Sequence, residues 1–440
     1  MGYIDDYNER SINKIPYDDT PISRRAPVKK SYSPSSSSRG GGAKPAAIKS
    51  LMIISIVLVI INVALIFTTF FYIRHSVVKN VYYPSNNYIS TSDVSNDAVN
   101  RATSTSVAIT CGTTIRNEFE FFNKGGSRGS GSILKFDGND VYILTCYHVI
   151  SNHANSVYIL PYNWHVPIKA TFVGCASDYD VAILKVDKSK LENQNAFDGM
   201  TAISVFDSRY LSVGEKAFAV GNSLGQGISV TSGVVSTDPT LIIKTIESST
   251  TIRVFQTSAE INRGNSGGGL FNSRGQFIGL VNAKTHEDTS GYTVVGMNYA
   301  IPSSLAISVA NNIIANNGDL EEVDIGIDSF DFEDKYGTQR VPVEHDNGIA
   351  YVAKYHCIVA GFKDNSLAAQ AGLAKKDYVE SFTYTDLDGV LHENEQMFNI
   401  YSFDDVKFNI KPGSVIKFKV HNIIDGWHEI VINVWFYIVA

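Results

Sequence analysis

The sequence predicts a mainly β protein whose folded part follows one membrane-length apolar segment. Three observations carry this. From Ala98 to Ile301, short apolar runs alternate with Gly-, Asn- and Asp-rich turns, the pattern of a sandwich or barrel rather than of alternating strands and helices. A second β-rich region runs from about Val323 to the end. Ahead of both, residues 51–73 form a run of 23 residues without a charge.

Residues 1–50 are polar and rich in Ser, Pro, Gly and Arg, including Gly40-Gly41-Gly42. Such a segment buries too little apolar area to fold and reads as a disordered tail. Residues 51–73 are long enough to span a bilayer as a helix. A cleaved signal peptide fits poorly, because a long tail precedes the span and no small-residue cleavage site closes it. Arg24, Arg25, Lys29, Lys30, Arg39, Lys44 and Lys49 precede it, against Arg74 and Lys79 soon after. This bias predicts a single-pass anchor at the cell membrane, with the N-terminus cytoplasmic and the rest outside. Residues 74–97, rich in Asn, Ser, Thr and Tyr, read as a linker.

Beyond the linker, Asp137-Gly138-Asn139-Asp140 separates two apolar runs and signals a hairpin. Further strands are expected over 170–173, 181–186, 217–220, 228–236, 277–281 and 293–301. Pro302 then opens a helix in which Leu305, Val309 and Ile313 recur at helical spacing, with Gly318 as a stop. The acidic stretch 319–324 reads as a boundary, so the folded part divides into 98–318 and 319–440. In the second region Ser366 to Gly372 is a short helix candidate ending in glycine.

Composition narrows the function. Hydrophobic residues make up 44 % and charged residues 18 %, a balance that builds cores. A net charge of −7 leaves no basic footprint for nucleic acid. The cysteines, Cys111, Cys146, Cys175 and Cys357, form no C-x-x-C pair, and no histidines form H-E-x-x-H. Neither a metal site nor a cofactor is expected.

Ile261-Asn262-Arg263-Gly264-Asn265-Ser266-Gly267-Gly268-Gly269-Leu270 packs glycines around one serine. It reads either as a glycine-rich hairpin turn or as a nucleophile turn that a substrate carbonyl can approach. A serine nucleophile needs a histidine base and a group to orient it. His148 closes the second hairpin strand, and Asp180 immediately precedes an apolar strand, with Asp178 as a rival acid. His148, Asp180 and Ser266 follow in the order of a chymotrypsin-type triad, each at an element boundary.

With these residues in place, the region resembles the HtrA/DegP family of trypsin-like serine proteases. The matching segments, in order, are Gly129-Ser130-Gly131-Ser132, Thr145-Cys146-Tyr147-His148-Val149, Asp180-Val181-Ala182-Ile183-Leu184-Lys185 and Val220-Gly221-Asn222-Ser223-Leu224-Gly225. Thr231-Ser232-Gly233-Val234-Val235-Ser236, the run from Gln256 to Gly268, and Gly296-Met297-Asn298-Tyr299-Ala300-Ile301-Pro302 complete the set. The resemblance implies a chymotrypsin-like pair of six-stranded β-barrels with the site between them. It implies Ser266 as nucleophile, His148 as base, Asp180 as its orienting acid, and Gly264, Asn265 and Ser266 as the oxyanion-hole turn. Ile261, Ala300 and Ile301 match the primary specificity pocket, and their apolar lining favours cleavage after small or medium apolar residues. Ser258 departs from the family's aspartate, and Cys146 and Tyr147 replace smaller or amide residues. A Cys146–Cys175 disulfide and two buried free thiols are the alternatives for that pair.

The region 319–440 resembles a PDZ domain in a DegS-like layout. Asp324-Ile325-Gly326-Ile327 matches its carboxylate-binding loop, which implies peptide capture by Ile325, Gly326 and Ile327. The Phe382-Thr383-Tyr384-Thr385 stretch departs from the pattern, and a degenerate domain is the alternative. The family implies a homotrimer that degrades misfolded exported proteins and reads unfolded polypeptides or C-terminal peptides. A protease dedicated to one membrane-associated partner is a second reading, and a peptide-binding or chaperone module with a vestigial protease is a third.

Overall fold

In the computed structural model the described residues are 94–124, 126–244, 251–284, 297–333, 338–345 and 348–434, with Asn62. The expected tail, the span 51–73 (Asn62 apart) and most of the linker lie outside them, as does Gly296. Among the described residues no helix is long and apolar enough to cross a membrane.

The folded chain begins earlier than the sequence implied. A helix, Asn96–Thr103, starts within the stretch read as linker, and the Ser95 side chain caps it by accepting from Ala98 N. Ala98 and Ala102 are fully buried, and Arg101 Nε donates to the Arg274 carbonyl at 3.0 Å. The helix is therefore part of the core.

Six strands then close a barrel: β1 (Ser106–Cys111), β2 (Ser127–Asp137), β3 (Asp140–Thr145), β4 (Val157–Pro161), β5 (Ile168–Ala176) and β6 (Val181–Asp187). Their order is β1-β2-β3-β6-β5-β4, and β1 closes the ring by pairing with both β2 and β4. Side chains alternate across each strand, so Val107, Ile109, Ile133 and Ile143 fill one interior. Register shifts in β2–β3 and β5–β6 bend the strands enough to curl.

The second barrel differs from the closed ring that the resemblance implied. Strands β7 (Lys216–Gly221), β8 (Ser229–Val234), β9 (Leu241–Lys244), β10 (Thr251–Thr257), β11 (Gly269–Asn272), β12 (Phe277–Lys284) and β13 (Asn298–Pro302) form one seven-stranded sheet. Its order is β8-β7-β11-β12-β13-β10-β9, with β9 appended to β10 as an extra hairpin strand. The other six meet at their ends, through the bridge Val235–Thr257 and bonds that include Ser236 N to Gln256 O and Ser258 N to Val234 O. Gly233 makes that approach possible, because a Cβ there would lie 2.1 Å from Ala259 N. Ser258 serves the same closure: its Oγ accepts from Val234 N at 3.0 Å. The hydroxyl supplies an acceptor where the resemblance led one to expect a carboxylate.

The helix Ser303–Ala315 packs Leu305, Val309 and Ile313 into the core of the first barrel. A C-terminal domain follows: β14 (Ile327–Phe332), β15 (Gln339–His345), β16 (Gly348–Lys354), β17 (Cys357–Phe362), β18 (Tyr378–Thr385), β19 (Leu391–Gln396), β20 (Val415–Asn422) and β21 (Gly426–Asn433). Its main sheet runs β14-β17-β18-β20-β21 with β19 on β18, and β15–β16 is a separate ribbon. The short helix Leu367–Gln370 is capped by Ser366, whose Oγ accepts from Ala369 N.

This domain is pinned to the preceding β-sheet units by buried charge. Arg253 on β10 pairs with Asp405, both almost fully buried, and stacks over Tyr401. Burial pushes the Arg253 guanidinium down to about 10, because its charge has left water. Arg209 Nη2 reaches Glu395 at 2.9 Å, and Phe408 meets Tyr179 edge-to-face at 5.1 Å. Asp405→Ala removes the paired carboxylate from a buried guanidinium and leaves it only the more distant charge of Asp404, with an expected cost of about 3 kcal/mol of unfolding free energy. Denaturant titration reads this loss. Adding Arg253→Met to the same chain should recover most of it, and no recovery would mean the cost lies elsewhere.

Candidate active site

Strand pairing brings the candidate residues together. His148 lies three residues beyond the end of β3 and Asp180 one residue before β6, and these strands pair with Thr145 opposite Ala182. The loops bearing the two side chains therefore share one rim, where Tyr147 N donates to the Asp180 carbonyl at 3.2 Å. Asp180 has left-handed backbone (φ 53°, ψ 38°), which turns its carboxylate back under the histidine. Its Oδ2 lies 2.7 Å from His148 Nδ1, and its Oδ1 accepts from His148 N at 2.8 Å. Asp178 is exposed at the surface of the same turn, which leaves Asp180 as the acid at the histidine.

Ser266 comes from the second barrel, just before β11. Ser130 N on β2 donates to the Ser266 carbonyl at 2.9 Å and ties the turn to the first barrel. Ser266 Oγ donates to the carbonyl of Asn282 at 2.9 Å, and the Asn282 side chain in turn donates to Asp180 Oδ2. Asn282 thus bridges nucleophile candidate and acid. Sequence reasoning missed it: one asparagine after an apolar run reads as a turn residue, and only the pairing of β12 aims it at Asp180.

The turn itself is braced from below. Ser130 Oγ donates to the Gly264 carbonyl at 2.6 Å and accepts from Asn222 N at 2.7 Å. Gly264 has φ +95°, and a Cβ on it would lie 2.2 Å from the Asn222 carbonyl, so only glycine fits. Asn265 N donates to Asn262 O, while among the described residues no acceptor holds the N–H of Gly264 or of Ser266. N–H groups on both sides of Asn265 that no described residue engages leave donors available to an oxyanion.

Cys146 Sγ, the His148 ring and the Asp180 carboxylate lie within 4.8 Å of one another, a grouping that could hold a metal ion. The chemistry of the donors argues otherwise. Burial, with Asp180 adding its charge, pushes the Cys146 thiol well above its ordinary range, and the neutral thiol donates to the Val281 carbonyl at 3.3 Å. The donors are already engaged, Asp180 Oδ2 with His148 Nδ1 and the thiol with the Val281 carbonyl. All four cysteines are free, so Cys146 and Cys175 form no disulfide.

The expected pocket and peptide loop fare differently. Ile261 and Ala300 share a buried apolar cluster with Leu270 and Val281 near the serine turn. Ile301 does not join them: adjacent strand residues face opposite ways, and Ile301 packs with Leu280 and Leu305 in the main core. In the C-terminal domain Ile325 is buried, and its carbonyl accepts from Ala368 N. Gly326 N, the donor expected for a peptide carboxylate, already donates to Asp324 Oδ1 at 2.7 Å. Lys363 Nζ holds the other oxygen of Asp324 at 2.6 Å. Ile327 opens β14 as an edge strand.

Two antiparallel β-sheet units with His148 and Asp180 paired on the first and Ser266 linked to Asp180 through Asn282 fit the trypsin-like serine peptidase class, and residues 129–280 match the trypsin-like peptidase domain. Serine protease Do-like HtrA of Lactococcus lactis subsp. cremoris is 31 % identical over 279 residues, 61 % of this chain and 65 % of that protein. The Lactobacillus helveticus protein of that name is 30 % identical, covering 67 % of this chain and 65 % of its own. The Bacillus subtilis one is 35 % identical over 209 residues, covering 47 % and 43 %. The chain carries a trypsin-like peptidase domain and is similar to HtrA serine proteases. It spans a little under two thirds of the first two relatives. A solved HtrA-type protease structure, AlgW with tripeptide, covers 77 % of this chain with a TM-score of 0.45 and 22 % identity.

Proposed function

We propose that this chain is a membrane-anchored endopeptidase that cleaves unfolded or misfolded exported polypeptides outside the cell membrane. The observation carrying the reading is the hydrogen-bonded run from His148 through Asp180 and Asn282 to Ser266 at the junction of the barrels. Ser266 Oγ rotates from the Asn282 carbonyl toward His148, loses its proton to the imidazole and attacks the scissile carbonyl. Gly264 and Ser266 N–H groups receive the oxyanion, and His148 returns the proton to the leaving amine. Asp180 fixes the imidazole tautomer that accepts from serine. Asn265 shapes the turn.

Anchoring through 51–73 and assembly as a homotrimer belong to the same proposal, supported by the apolar run and the family. The C-terminal domain, clamped at Arg209 and Arg253, is its regulatory part rather than an open carboxylate reader, since Asp324 occupies Gly326 N.

Ile261 and Ala300 belong to a buried apolar cluster; read as the lining of the specificity pocket, they imply cleavage after Val, Ala or Ile. Mapping the cut sites that the full-length protein leaves in an unfolded substrate tests this. Labelling of Ser266 by a fluorophosphonate tests the nucleophile in the same sample. Cuts mainly after Lys or Arg would discard the pocket assignment, and an unlabelled Ser266 would discard the mechanism.

A further inference from the structure

We propose that Leu224 is a positioning residue whose left-handed backbone latches the peptide that aims the Gly264 N–H at the substrate oxyanion. The inference rests on the reading of Ser266 as nucleophile and names what holds its oxyanion site open.

Leu224 has φ 55° and ψ 14°, a region that a residue with a Cβ adopts reluctantly. Packing does not explain it, because the side chain is 59 % exposed. Within the turns closed by Gly225 N on Asn222 O and Gln226 N on Ser223 O, the conformation directs Leu224 N to the Arg263 carbonyl at 2.6 Å. A trans peptide is planar, with its carbonyl and N–H on opposite edges. With the Arg263 carbonyl drawn toward Leu224, the Gly264 N–H must point away from the 222–225 loop, where no described residue accepts from it.

The flanking bonds brace everything except this peptide. Gly225 N donates to Asn222 O, and Gly227 N to Asn222 Oδ1. Ser130 Oγ fixes the next carbonyl, that of Gly264. Among the described residues, Leu224 N is the donor on the Arg263 carbonyl. If Leu224 relaxes to right-handed or extended backbone, its N–H swings away and the peptide is free to turn. The carbonyl then occupies the place of the N–H, and the oxyanion meets a like dipole. The population of the left-handed state at Leu224 therefore sets the fraction of competent sites.

The test replaces Leu224 by glycine, asparagine and valine in the full-length protein. Glycine and asparagine enter the left-handed region readily, whereas valine resists it. The expected order of kcat is Gly, then Asn, then Val, with valine about tenfold below glycine and KM nearly constant. A peptide aldehyde ending in valine, to which Ser266 Oγ adds as the carbonyl electron pair moves onto oxygen and the hydroxyl proton passes to His148, should lose affinity in the same proportion. If Leu224 mattered only through apolar packing, valine would lie nearest the parent and glycine farthest, which would overturn the latch. So would changes confined to KM or thermal stability. Ser266→Ala separates the two levels. Activity surviving in that variant sinks the nucleophile reading itself, whereas an inactive Ser266→Ala with a flat Leu224 series sinks only the latch.

Discussion

Ser266→Ala is expected to lower kcat against unfolded casein by about 10⁴-fold or more, with little change in KM. In the proposed mechanism the serine hydroxyl supplies the atom that bonds to the substrate carbonyl, and no neighbour can replace it. Cys146, the other nucleophile beside His148, is fully buried, and its thiol is held neutral by burial and by Asp180. Substrate binding should persist, because the apolar cluster around Ile261 and Ala300 does not involve the hydroxyl. Only water attack assisted by the oxyanion turn would remain. The measurement is steady-state kinetics with purified full-length protein, backed by retention of uncleaved substrate on the variant. Parent-like turnover in the variant would remove Ser266 from the chemistry.

Much of this site was legible in the sequence because its parts sit at chain punctuation. His148 follows a hairpin strand, Asp180 precedes an apolar run, and Ser266 lies among glycines that no regular element would choose. The helix after Pro302 and the hairpin at Gly138 followed from equally local signals. What stayed hidden depends on pairing across the fold. Asn282 acts only because β12 lies beside the serine turn. Ile301 faces the main core because strand alternation separates it from Ala300. The second barrel closes on one bridge, Val235–Thr257, which no run of residues announces. Gly326 fitted a carboxylate-binding motif, yet Asp324, two residues away, takes its N–H. A motif records which backbone shape a segment permits. The partner that fills that shape is set by tertiary contacts.

Asp180→Asn is expected to be nearly as damaging as loss of the serine, about 10⁴-fold in kcat, although the change is nearly isosteric. Three donors converge on the carboxylate: His148 N on Oδ1, and His148 Nδ1–H with the Asn282 amide on Oδ2. An amide at position 180 offers one oxygen and one NH₂, so it cannot serve both sides. With its oxygen on the ring side, its NH₂ faces the His148 backbone N–H, donor against donor, in a buried site. With its NH₂ on the ring side, it opposes the Asn282 donor and makes His148 Nδ1 the acceptor. The ring proton then sits on Nε2, where it cannot take one from Ser266. The first orientation costs stability and the second costs the base, so the loss should divide between thermal midpoint and kcat while KM barely moves. Asn282→Ala in the Asp180→Asn background removes the competing donor and should restore part of the stability without restoring the base. Thermal melts and single-turnover rates on the two variants separate these effects. Recovery of kcat in the double variant would mean that Asp180 holds the fold of the rim rather than the tautomer of His148.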